Sequence, residues 1–120
     1  MKKVLICDDD EGIVDVMKII LENKGYKVKV CANESLIFKI ISKEKPDVLL
    51  LDLWMPHLSG EEITKRLKKN DATKSIKVII ISAHRFAAKI AKEIKADDYL
   101  LKPFDIYDLE KKVKKYAPLP

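Results

Sequence analysis

Val48-Leu49-Leu50-Leu51-Asp52 is an unbroken aliphatic run that ends in an acid. No polar residue alternates within it, so both faces of the strand need cover, as in a parallel sheet held between two helical layers. Two more runs of this kind flank it in the chain, Val4-Leu5-Ile6-Cys7 and Val78-Ile79-Ile80-Ile81. Lys27-Val28-Lys29-Val30-Cys31 alternates polar and apolar residues, which suits a sheet edge, and Tyr99-Leu100-Leu101 is a last short strand.

Helical patterns separate these strands. From Asp10 to Asn23, Ile13, Met17, Ile20 and Leu21 recur at helical spacing, with Gly25 just beyond, where a left-handed residue commonly ends a helix. Asn33 is placed to cap a second helix, with Leu36, Ile37, Ile40 and Ile41 on one stripe. Pro46 closes that segment. Ser59-Gly60-Glu61-Glu62 reads as a capping box that turns Ile63 and Leu67 inward. An alanine-rich helix is expected from Phe86 to Lys95, and Asp105 caps a last one carrying Ile106, Leu109, Val113 and Tyr116. Strand and helix thus alternate five times, a (βα)5 α/β chain. Parallel strands need right-handed crossovers, so the expectation is a doubly wound five-stranded parallel sheet. A barrel would need eight strands.

The 120 residues fit one domain, expected to span 1–120, with 117–120 a C-terminal tail or linker stub. With 48% hydrophobic residues the chain can bury a core. No apolar run approaches the roughly 20 residues that cross a bilayer, and the start, Met1-Lys2-Lys3, lacks the features of a signal peptide. A cytoplasmic protein is expected. Cys7 and Cys31 have no CxxC spacing and fall at strand ends, so a buried, reduced role is the better reading, though an approach between them stays open. The formal charge is +5, but the lysines are spread over several helices. Lys111, Lys112, Lys114 and Lys115, the densest group, read as a solvated face, so no nucleic-acid partner is expected.

In a parallel sheet all strand ends lie along one edge, where ligands bind. Asp8, Asp9 and Asp10 follow the first strand here, Asp52 ends the third, Ser82 the fourth and Lys102 the fifth. Crowded carboxylates take up protons or recruit a cation, and oxygen ligands with room for water suit Mg²⁺. A carboxylate beside Mg²⁺ can attack phosphorus, and the transferring group then needs a lysine and a hydroxyl around it.

Asp8-Asp9, Asp52-Leu53-Trp54-Met55-Pro56 with Gly60, Ser82-Ala83, and Asp98-Tyr99-Leu100-Leu101-Lys102-Pro103-Phe104 resemble the motif series of response-regulator receiver domains, the CheY-like superfamily of two-component signal transduction. The resemblance covers nearly the whole chain. It implies the flavodoxin-like strand order 2-1-3-4-5, with Asp52 accepting a phosphoryl group from a histidine kinase or a histidine phosphotransfer protein. It implies Mg²⁺, with Mn²⁺ a substitute, bound by Asp9 and Asp52, by Asp8 mainly through water, and by the backbone carbonyl of Trp54. Lys102 would pair with the phosphoryl oxygens, before a cis bond to Pro103. Ser82 would swing toward the phosphoryl group and Tyr99 would move inward as switch residues. The surface of the fourth helix, fifth strand and fifth helix would then meet a downstream protein, as a monomer or a phosphorylation-dependent dimer. Such a domain is a signalling phosphoacceptor that catalyses its own phosphorylation and, slowly, its own dephosphorylation.

Other readings compete with this one. Acids at a helix start are favoured by its dipole, which accounts for Asp10 but not for a pair opposite Asp52. A phosphatase of the haloacid-dehalogenase type would want an acid where Trp54 stands, and a nucleotide-binding module would want glycine or Ser/Thr where Asp8-Asp9-Asp10-Glu11 repels phosphate. Tyr99 could be simple packing, and Ser82 a turn cap. His57 and His84 read as exposed loop residues, although Trp54 and His84, each two positions past a site residue, would flank the path of the attacking water and set the phosphoryl lifetime. Lys95 stands where receivers usually carry glycine, so the left-handed cap there is strained or absent. The stretch from Ser82 to Lys102 is also short, which leaves the fourth helix less defined than the acid pocket.

Overall fold

The structure is a computed structural model that describes residues 2–56 and 58–120. Five strands, β1 (Lys3–Cys7), β2 (Lys27–Val30), β3 (Val48–Asp52), β4 (Lys77–Ser82) and β5 (Asp98–Leu101), alternate with five helices, α1 (Glu11–Asn23), α2 (Ile37–Glu44), α3 (Gly60–Lys69), α4 (Ala87–Glu93) and α5 (Ile106–Tyr116). All pairings are parallel, and the order is β2-β1-β3-β4-β5. The three continuous apolar runs are the central strands and the alternating one is an edge.

Side chains leave the strands alternately to either face, so each run feeds two cores. Val4, Ile6, Leu50, Ile79 and Ile81 pack with Met17 and Leu21 of α1 and Leu109 and Val113 of α5. Leu5, Leu49, Leu51, Val78 and Ile80 pack with α2, α3 and α4 through Ile37, Ile41, Ile63, Leu67 and Ala91. Capping carboxylates and a hydroxyl start three helices. Asp10 accepts from the Ile13 N–H, Ser59 from that of Glu62 and Asp105 from that of Asp108. Among the described residues no helix is long and apolar enough to cross a membrane.

Two helices depart from their sequence patterns. Asn33 caps a single 3-10 turn, Glu34–Leu36, and α2 starts only at Ile37. The tighter turn takes Leu36 off the buried stripe and leaves it exposed. Helix α4 is shorter than the stretch from Phe86 to Lys95. It begins at Ala87 with no side-chain cap, leaves Phe86 exposed, and stops at Glu93. Lys95 then takes the left-handed conformation at φ 64°. The turn that glycine would favour is therefore present and carried by a lysine, at about 1 kcal/mol of backbone strain. Beyond α5, Ala117 is buried, its carbonyl accepts from the Tyr26 hydroxyl at 2.7 Å, and Leu119 packs on the α1–α5 core.

Candidate functional site

The C-terminal rim of the sheet gathers the acids. Asp8 and Asp9 leave β1 and Asp52 ends β3, two strands paired directly in the sheet. One carboxylate oxygen from each of the three lies within 4.8 Å of the others. Asp8 and Asp52 are buried, while Asp9 stands exposed at the mouth. The donor set is oxygen-only and anionic, with one open side, and so fits a hard divalent cation that keeps part of its water.

Burial and the charge of Asp8 push the Asp52 carboxyl up to about 7. The hydrogen bond with Asp9 adds to this, while Lys102 and the Trp54 N–H oppose it. Lys102, just past β5, does not point into open space. Its Nζ lies 2.8 Å from Asp8 Oδ2, and Asp8 Oδ1 accepts from the Asp10 N–H at 2.9 Å. Burial alone would lower the Lys102 ammonium, but hydrogen bonding and the charge of Asp8 outweigh it and hold its pKa above the usual lysine value. The Lys102–Pro103 bond is cis.

Ser82 is buried at the end of β4, and its Oγ accepts from the His84 N–H at 3.0 Å, so its hydroxyl shapes the turn toward α4. Trp54 is 56% exposed beside the mouth and meets His84 edge-on with ring centroids 4.8 Å apart. His84 in turn tilts against Phe86 at 5.5 Å. It is thus a half-buried member of an aromatic row rather than a free loop residue. His57 lies outside the described residues.

Tyr99 is half-buried against the α2–α4 core, with Lys112 Nζ 4.2 Å above its ring. Lys112 also donates to the Tyr99 carbonyl and, at 2.8 Å, to Asp98 Oδ1. One lysine of the α5 group is therefore an inward tie, unlike the solvated face its spacing suggests. Burial would raise the Asp98 carboxyl, but hydrogen bonds from Lys112, the Tyr99 N–H and Tyr116 hold it below its ordinary value. Burial and that same contact push the Tyr116 hydroxyl up to about 12.

Gly60, which belongs to the motif series, has a steric task that its place there does not show. A Cβ there would fall 2.7 Å from the Asp52 carbonyl oxygen and 2.9 Å from Leu53 Cα, and the Gly60 N–H donates to the Leu53 carbonyl at 2.8 Å. Only a residue without a side chain lets α3 close against the loop that carries Asp52. Its signal was a glycine directly after a helix cap. The pairing of Lys102 with Asp8 had no such signal.

Residues 4–114 match the family described as "Response regulator receiver domain". The chain belongs to that family. This receiver is 39% identical over 120 residues to "Sporulation initiation phosphotransferase F" of Bacillus subtilis (strain 168), covering 98% of this chain and 95% of that one. It is 34% identical to the "Alkaline phosphatase synthesis transcriptional regulatory protein PhoP" of the same organism, where it covers 94% of itself but spans only 47% of the relative. Among solved structures, the receiver is similar to a "response regulator receiver domain protein (CheY-like)" from Methanospirillum hungatei JF-1. The TM-score is 0.86 and the identity 30%, over 96% of this chain and 92% of that one.

Proposed function

We propose that this receiver accepts a phosphoryl group on Asp52 from the phosphohistidine of a kinase or histidine phosphotransfer protein, and signals through a changed protein-binding surface. The observation that carries the reading is a buried carboxylate, Asp52, set among two further acids and within the electrostatic reach of Lys102. A carboxylate oxygen of Asp52 attacks phosphorus, the phosphorus–nitrogen bond breaks, and the imidazole keeps the electron pair and takes up a proton. Mg²⁺, or Mn²⁺ in its place, supplies when bound the positive charge that offsets the crowded acids and the phosphoryl oxygens. Asp9 and Asp52 would hold it directly, Asp8 chiefly through water, and Trp54 by its backbone carbonyl.

Lys102 would leave Asp8 for a phosphoryl oxygen, and Ser82 would turn its hydroxyl from the His84 N–H to another. Tyr99, held between the α4 side of the core and Lys112, would move inward. The α4-β5-α5 face is then the surface that a downstream protein reads, with the receiver a monomer or a phosphorylation-dependent dimer. This is a signalling phosphoacceptor that promotes its own phosphorylation and slow dephosphorylation, placed in the cytoplasm, with no direct nucleic-acid or membrane partner. The edge-on contact of Trp54 with His84 supports a part for both in shielding the phosphoryl group from water.

Intact-mass spectrometry after incubation with acetyl phosphate and Mg²⁺ tests the assignment. A single phosphoryl adduct is expected on the wild type and none on Asp52→Asn. A folded wild-type protein that takes no adduct contradicts it.

A further inference from the structure

Three sulfur side chains that the phosphoryl chemistry leaves unused meet just beneath the acid rim. Cys7 ends β1 directly before Asp8, Cys31 follows β2, and Met55 lies on the loop after β3. The Cys31 N–H donates to the Ile6 carbonyl at 2.8 Å. That bond carries the β1–β2 ladder one step past the Ile6–Val30 pair and sets Cys31 beside Cys7. Both cysteines are 1% exposed, free, and on the same side of the sheet. Cys7 Sγ is 3.6 Å from Met55 Sδ, and the Cys31 thiol donates to the Asn33 carbonyl at 3.1 Å.

We propose that Cys7, Cys31 and Met55 form a binding site for a soft monovalent cation of the copper(I) class. Thiolate and thioether sulfurs select such ions over the hard cation suited to the carboxylates above them. Sulfurs bound at about 2.3 Å to one ion at trigonal to tetrahedral angles lie about 3.8–4.0 Å apart. The 3.6 Å between Cys7 and Met55 needs little adjustment to meet that. Met55 is half-buried on a loop and supplies the way in, whereas the cysteines are sealed.

Each thiol that binds releases its proton to solvent, no electron moves, and the loaded site carries one net negative charge. Loading would tie together the two loops that bear Asp9 and Asp52. Buried cysteines also serve as plain apolar filling, so the dependence on Met55 is the discriminating feature.

The test is a titration of the reduced, full chain with copper(I) under anaerobic conditions, in competition with the chelator bathocuproine disulfonate. One copper per wild-type chain is expected, none is retained by Cys31→Ser, and Met55→Leu binds at least about tenfold more weakly. Helical circular dichroism stays unchanged throughout. Copper surrendered fully to the chelator, retention unaltered by Met55→Leu, or uptake only with loss of the helical signal overturns the proposal. Silver(I) gives a second reading that does not depend on the serine variant. It should raise the wild-type melting temperature more than that of Met55→Leu, and equal shifts overturn the site.

Discussion

Lys102 Nζ sits 2.8 Å from Asp8 Oδ2, an ion pair that spans the rim from the end of β5 to the end of β1 and holds the lysine beside the acids. Asp8 is buried, so the pair lies where water screens it poorly.

Lys102→Met keeps most of the bulk and removes the charge. It leaves Asp8 buried without its ammonium and is expected to destabilise the protein by about 3–5 kcal/mol near neutral pH. Mg²⁺ should then restore more stability than it adds to the wild type, while adduct formation on Asp52 falls. Thermal denaturation with and without Mg²⁺ measures both effects. A variant as stable as the wild type, with no added response to Mg²⁺, would show that the pair does not matter.

Asp52→Asn is expected to raise stability in alkaline solution. The folded-state pKa of Asp52 lies at about 7, above its ordinary value of 3.8. The group therefore favours the folded state fully below about pH 4, and that contribution is lost as pH rises through about 7. The asparagine variant has no such loss. Its advantage over the wild type should be near zero at pH 4, grow to neutrality and level off beyond it, at no more than about 4 kcal/mol. Denaturant melts of both proteins across this range measure the difference, and one that is flat with pH excludes it.

Gly60→Ala places a methyl group 2.7 Å from the Asp52 carbonyl oxygen. Either α3 or the Asp52 loop has to move, at a cost of about 1–3 kcal/mol. Because the moved backbone positions a carboxylate, Mg²⁺ affinity should fall along with stability. Trp54 is the lone tryptophan and stands beside the mouth, so its emission reports the titration. An alanine variant with wild-type affinity would mean that the loop accommodates the methyl group without moving Asp52.

Trp54→Ala and His84→Ala should each shorten the life of the phosphoryl group, since either change opens the 4.8 Å aromatic contact beside the mouth. Dephosphorylation rates after removal of the donor read this directly. Unchanged rates in both variants would remove these side chains from the mechanism.

The sheet was legible because Val48–Leu51 and its two counterparts are buried on both faces and carry no polar interruption. Their order made the strand ends, and with them Asp8, Asp9, Asp52, Ser82 and Lys102, readable as one rim. What sequence could not supply is position across that rim. Nothing in the spacing says that Lys102 lies against Asp8, or that Cys31 stands beside Cys7, because both depend on how separate strands pair. Helix α4 was the least readable element. It has no capping side chain, and Lys95 adopts a conformation that only glycine signals in advance. Leu36 misled for a related reason, since a turn of 3-10 helix breaks the 3.6-residue period on which its stripe was read.

The crowding of acids at this rim shows most directly in the proton affinity of the Asp52 carboxyl group. A pH titration of Asp52 followed by carboxyl-selective NMR, without and then with Mg²⁺, measures it. The midpoint should lie near 7 in the metal-free protein and move to markedly lower pH when Mg²⁺ is added. An ordinary aspartate midpoint that Mg²⁺ leaves in place would contradict the crowding of acids at this rim and the chemistry built on it.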